Sequence, residues 1–267
     1  MSLRDIDLKI VKKFLNNLKS VSTGDEASDT IKKKARDGLR HFLNYAVSEG
    51  DIPPLSFEWP ELETADPVIQ YLDPEDQELI IAAAPAEHRP ILKWLVKTGR
   101  RINEARAMKV RDVIFSKSEY VVINAFDMEN LKDVPKEKKT AGAVFPLDDE
   151  HIAIIMESLS FKDGIYGPDD FVFSNPRTGG QYTMNSLLKV FYRIRKKAGF
   201  PSITLKGFGR QSFATQRLNE GWSYAEVGLF LLNTAQVVKD RYAVVTKAAR
   251  VAVINFHNNK GRRKEIK

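Results

Sequence analysis

Cysteine is absent from this chain of 267 residues, which excludes disulfides and thiolate-bound metals. Histidine is scarce. His41, His88, His151 and His257 are the only four, and they lie too far apart to suggest a histidine metal site. No apolar stretch reaches the ~18–20 residues that cross a bilayer. The first residues, Met1 to Asp5, carry no apolar core of a signal peptide. Internal repeats and low-complexity tracts are also missing. These absences lead us to expect a soluble cytoplasmic protein without a bound metal.

Apolar side chains are plentiful at 43% of the chain, enough for one large domain or two smaller ones. Net charge is +7, and its distribution is uneven. Between Glu49 and Glu78 there are ten acidic residues and no lysine or arginine. Between Thr183 and Asn219 there are eight basic residues and no acid. A block of the second kind suits contacts to phosphate, the main sequence-independent source of affinity for DNA. Arg195 and Lys196 are its candidate DNA contacts, and Arg210 lies inside it.

Periodicity gives the organisation. Ile6 to Leu18 carries a helical apolar stripe. A second helix starts at Asp29-Thr30, with Ile31, Ala35, Leu39, Leu43, Ala46 and Val47 facing inward, and ends at Gly50. Its other face holds Lys32, Lys33, Arg36 and Arg40, candidate DNA contacts. Pro53, Pro54 and Pro60 then impose an extended connection. We expect a helical N-terminal domain at 1–62 and a second domain at 63–267. Asp73-Pro74 reads as a helix start. A helix from Ile91 runs into the Thr98-Gly99 break, and another starts at Ile102. Tyr120–Ala125 and Ala143–Leu147 read as paired strands, joined by a lysine-rich connection with Lys138 and Lys139. Phe171–Phe173 reads as a short strand. Helices follow at 151–159, 184–198, 213–218, 224–232 and 235–242. The expected class is mainly α with a small antiparallel β-sheet.

Four stretches carry chemistry. Arg101 follows Gly99 at a helix start, where backbone donors favour an anion, and Glu104 is three residues on, close enough to pin its guanidinium. Lys139 stands on the connection before the second strand. Arg210 reads as opening another helix after a glycine-containing turn. Tyr242 closes the set. Guanidinium forks grip phosphate, an ammonium can protonate a leaving oxygen, and a phenol is a nucleophile once its phenolate is favoured. Any one of these residues alone is ordinary. Their order is informative.

That ordered set resembles the tyrosine recombinase family, the phage-integrase and Xer-like enzymes. The family's Thr-Gly-x-Arg-x-x-Glu box matches Thr98 to Glu104. Its Lys-Thr hairpin matches Lys139-Thr140 before Val144-Phe145-Pro146-Leu147. Its His-x-x-Arg-His-Thr-Phe-Ala-Thr stretch matches Gly207 to Thr215, with Gly207 at the first histidine position and Lys206 beside it. Its Leu-Gly-His matches Leu231-Leu232-Asn233, ahead of Tyr242. The resemblance implies a core-binding domain at the N-terminus and a catalytic domain after it. It implies a site-specific recombinase, nucleoid-associated and without cofactor, that cleaves double-stranded DNA through a 3′-phosphotyrosyl link as a homo-tetramer on paired sites. Arg101, Lys139, Arg210, Asn233 and Tyr242 would be its catalytic residues, with Lys206 and Glu104 as supporting ones. Two alternatives share the pattern: a catalytically impaired DNA-binding protein on the same fold, and a type IB topoisomerase-like relaxing enzyme. The apolar positions Val245, Ala248, Val251, Val253 and Ile254 would fit a groove on a neighbouring subunit.

Overall fold

The computed structural model describes residues 3–21, 23–63, 69–114, 120–123, 143–162 and 164–242. Lys138, Lys139 and the segment after Tyr242 lie outside them. The chain divides into two compact units, 1–68 and 69–267.

The first unit is built on two helices, α1 (Leu8–Asn16) and α2 (Asp29–Ser48). Asp7 caps α1, its carboxylate accepting from the Ile10 N–H at 2.8 Å, which satisfies one of the otherwise orphaned first-turn donors. Leu43, Ala46 and Ile52 form the centre of a small core, with Leu39, Val47 and Trp59 packed around it. Ile31 departs from expectation. It is 41% exposed, and Phe42 and Tyr45 on the same helix are more exposed still. Two helices cannot cover every apolar position of a twenty-residue helix.

The second unit is organised around α4 (Arg89–Thr98), whose Pro90, Ile91, Leu92, Trp94, Leu95, Val96 and Thr98 are buried. Each such aliphatic side chain contributes about 1.5–3 kcal/mol of burial free energy, so α4 is fixed as the unit's centre. Packed with it are α3 (Pro74–Ala82), α5 (Ile102–Ala107), α6 (Asp149–Ser160) and α7 (Met184–Lys197). Pro74 sits at the start of α3 after Asp73, as expected. The sheet has three antiparallel strands in the order β1 (Val113–Ile114), β2 (Tyr120–Ile123), β3 (Ala143–Pro146). Val121 pairs with both Val113 and Phe145. The sequence pattern did not reveal β1. Phe171–Phe173 does not form a strand. It makes single bridging contacts, with Val172 N–H donating to Met108 O at 2.9 Å.

The last part of the chain forms α8 (Ser212–Asn219), α9 (Tyr224–Leu231) and α10 (Ala235–Tyr242). Their own core holds Phe213, Leu218, Val227, Leu231, Val238 and the Tyr242 ring. Phe230 joins this core to the larger one, stacking on Phe213 at 5.3 Å and meeting Phe145 edge-on at 4.9 Å. Among the described residues no helix is long and apolar enough to cross a membrane.

Candidate active site

Gly99 is the hinge of the site. It ends α4 in the left-handed region (φ 59°), a conformation that favours glycine. A Cβ there would stand 2.6 Å from Phe213 and 2.8 Å from Leu231. Only glycine lets the chain turn at this spot while α8 and α9 close over it. The turn delivers Arg100 and Arg101 directly to a cleft of about 760 Å³.

Arg101 is the N-cap of α5, at the helix start as expected. Glu104 accepts from both its backbone N–H (3.0 Å) and its Nη1 (3.1 Å). The carboxylate therefore pins the arginine's backbone and its fork together. Nη2 donates to Asn233 Oδ1 at 3.2 Å. With its oxygen engaged, the Asn233 amide keeps its –NH2 as donor.

Arg210 corrects the expectation that it opens a helix. It lies inside a π turn, Gly207–Gln211, that runs into α8. Its guanidinium meets carbonyls rather than helix-end donors. Nη1 donates to Gly99 O (3.1 Å), Nη2 to Leu231 O (2.8 Å) and Nε to Tyr242 Oη (3.2 Å). A guanidinium has five N–H donors, so two remain for an anion. Arg210 is 7% exposed. Burial lowers its pKa, while the Tyr242 hydroxyl acts the other way.

Tyr242 is 3% exposed. Its ring belongs to the apolar cluster of α8–α10, but its hydroxyl lies on Arg210 at the cleft. The residue that ties Tyr242 to the arginine pair is thus Arg210, bonded at once to Gly99 O and to the phenol.

The π turn explains the missing histidine. Its wide turn closes with the Ser212 N–H donating to Gly207 O. Such a turn accommodates one more residue than an α-helical turn. At position 207 a Cβ would meet Ile203 Cδ1 at 2.9 Å, Thr204 Oγ1 at 3.0 Å and the Gln70 carbonyl at 3.1 Å. That direction leads into packed protein, not into the cleft. Lys206, one residue earlier, is exposed and lines the cleft with Arg101, Arg210 and Tyr242.

The remaining basic residues named from sequence are spread out. Lys32 is a correction: it is 9% exposed and ion-paired with Glu26, because it turns toward the loop before α2. Arg36 is part-buried, with Nη1 on Pro60 O at 3.0 Å and Nη2 on Asp37 at 2.6 Å. Lys33 is half-buried and Arg40 exposed. On α7, Lys196 is exposed, while Arg195 reaches the Ile203 carbonyl and lies over the Tyr192 ring. Lys138 and Lys139 fall outside the described residues. Sequence reasoning overlooked Arg100, although the Arg100-Arg101 doublet after Gly99 was visible.

The phage integrase family model matches residues 70–232. No curated protein matches the chain. Among solved structures, the chain is similar to the XerH site-specific recombinase in a post-cleavage complex with palindromic difH substrate. That likeness has a TM-score of 0.71 and 20% identity, over 96% of this chain and 74% of the other. It is similar to the Tn1549 transposon integrase in complex with circular intermediate DNA, with a TM-score of 0.68 and 16% identity over 95% and 86% of the two chains. A lambda integrase dimer bound to a COC′ core site aligns with a TM-score of 0.62 and 18% identity over 91% and 83%. These likenesses show that the fold is that of the tyrosine recombinases.

Proposed function

This chain belongs to the phage integrase family, and on that premise we propose that it is a site-specific DNA recombinase acting through a 3′-phosphotyrosyl intermediate. The observation that carries the reading is the Arg210–Tyr242 hydrogen bond of 3.2 Å, beside Arg101 in one cleft. Arg101 and Arg210 grip the non-bridging oxygens of the scissile phosphate and stabilise the charge that develops there. The Asn233 amide donates to the same phosphate. Arg210 Nε–H donates to the phenol oxygen and holds it at the cleft beside the phosphate position. Tyr242 gives its phenol proton to water in the cleft and attacks phosphorus, the bond to the 5′-oxygen breaks, and Lys139 supplies the proton to that leaving oxygen. The 5′-hydroxyl of a second strand then attacks the phosphotyrosine and releases the phenol. The linkage preserves the phosphoester bond, so the cycle runs without a cofactor.

Lys206 adds a cation at the cleft where the family has a histidine, and Glu104 positions Arg101. The chemistry of an active site supports the enzyme over the impaired binding protein, since both arginine forks, the amide and the phenol converge. The 1–62 segment would serve as the core-binding domain, with Lys33 and Arg40 on DNA phosphates, and Lys138, Arg195 and Lys196 would add contacts from the catalytic domain at 63–267. Assembly would be tetrameric on paired sites, in the cytoplasm at the nucleoid.

A pool of duplexes with a randomised core and a nearby nick tests the reading, because cleavage at the nick frees a short fragment and traps the link. Wild type is expected to become covalently joined to part of the pool, and Tyr242→Phe to bind without joining. Relaxation of supercoiled plasmid by an isolated monomer would point to the topoisomerase-like alternative instead.

A further inference from the structure

Arg100 is 3% exposed, yet its Nε and Nη1 are enclosed with no hydrogen-bond partner among the described residues. Its backbone N–H is satisfied by Thr98 Oγ1 at 3.2 Å, so only the side chain is left wanting. The guanidinium lies 4.4 Å above the Phe145 ring of β3. A cation–π contact returns only part of what desolvating a charge costs. The nearest compensating carboxylate, Glu104, is already bonded to the Arg101 backbone and fork. Burial lowers the Arg100 pKa to about 10, with the Glu104 carboxylate opposing the shift and the charges of Arg210 and Arg101 adding to it, so the group is still cationic at neutral pH.

The surroundings sharpen the imbalance. Among the described residues the cleft is lined by five cationic ones, Arg100, Arg101, Lys206, Arg210 and Arg241, and by no carboxylate. A buried cation with two nitrogens unmet among the described residues, in a cleft short of negative charge, is the arrangement expected of a site completed by an anion.

We propose that Arg100 is a third phosphate-binding guanidinium of this cleft, held against Phe145 until a phosphodiester of DNA enters and pairs with it. The inference rests on the recombinase reading for the identity of the anion. It adds a contact to the site and links the arginine turn to β3, the strand that follows the Lys139 connection. A residue of this kind makes the free protein less stable than it need be and the phosphate-bound protein more so.

The test is thermal unfolding in a titration of inorganic phosphate, with wild type, Arg100→Met and Arg100→Lys. Arg100→Met removes the charge and keeps the length. It is expected to raise the Tm of the free protein and to shrink the rise in Tm that phosphate produces in wild type. On a random-sequence duplex it should lower the slope of log K against log salt by about one. Arg100→Lys keeps the charge but not the fork, and it should retain the fold with a weakened phosphate response. A purely structural Arg100 gives the opposite pattern: Arg100→Met lowers Tm, and the folded Arg100→Lys protein answers phosphate and salt as wild type does. That result would overturn the inference while leaving the recombinase reading standing. If wild type itself failed to bind duplex DNA, the recombinase reading would fall and the inference with it.

Discussion

Arg210 holds three elements together through one planar group. Its three hydrogen bonds reach the α4 C-cap, the end of α9 and the last residue of α10. Removing the side chain leaves two buried carbonyls and a phenol without their donor, each costing about 1–3 kcal/mol. Arg210→Ala is therefore expected to lower unfolding free energy by at least about 3 kcal/mol as well as to end DNA linkage. Arg101→Ala should differ, because its side chain is one-third exposed. It should lose linkage while its denaturant midpoint changes far less. Denaturant titration of the two variants checks the contrast. Gly207 makes a second prediction at this scale. Gly207→Ala forces a methyl against Ile203, Thr204 and Gln70, and overpacking of this sort costs about 1–3 kcal/mol. Gly207→His should be worse, with no gain in linkage, although a histidine at that position matches the family pattern. A more active Gly207→His protein would contradict the geometry described for the π turn.

The π turn shows what an element can do that a motif does not reveal. The sequence match aligns Gly207 with a histidine and leaves Lys206 one residue out of step. The wide turn removes the discrepancy, since it puts Lys206 on the cleft side and Gly207 on the packed side. Lys206→Met is expected to slow linkage while leaving thermal stability near wild type, because the side chain is exposed. Single-turnover cleavage of a trapped duplex against Tm separates the two. Other elements were legible because their signals are local. Asp73-Pro74, the Thr98-Gly99 break and the Arg101–Glu104 spacing each specify a boundary through residues within one turn. The π turn, β1 and the burial of Lys32 were not legible, since each depends on contacts with distant chain. Helix α6 adds a pH prediction. His151 sits in its first turn, buried against Trp94 and Phe145. Burial lowers its pKa, outweighing Asp148, which raises it; His88 is also lowered, chiefly by burial. In each case the unfolded chain binds the proton more readily, so stability is present above the unfolded value near ~6.5 and is lost as pH falls below it. Tm should drop between about pH 7 and pH 5, and His151→Gln should flatten that drop.

At the scale of the molecule, the ordered set Arg101, Arg210, Asn233 and Tyr242 spans well over half the length of the second unit and closes in one cleft. Sequence order could propose that convergence but not demonstrate it, because long-range closure is written in packing rather than in spacing. The Phe145–Phe230–Phe213 aromatic chain is one such packing device, joining the central core to the helices that carry Tyr242. The basic block between 183 and 219 behaves less simply than its charge suggests. Arg210 is used internally at the cleft, Arg195 holds a backbone carbonyl, and Lys196 stays exposed.

The most direct measurement is peptide mapping of protein trapped on the nicked duplex pool. After nuclease and protease digestion, the nucleotide remnant should sit on the peptide containing Tyr242, joined through its phenol oxygen to a 3′-phosphate. A remnant on any other residue, or the same quantity of adduct from Tyr242→Phe, would contradict the account.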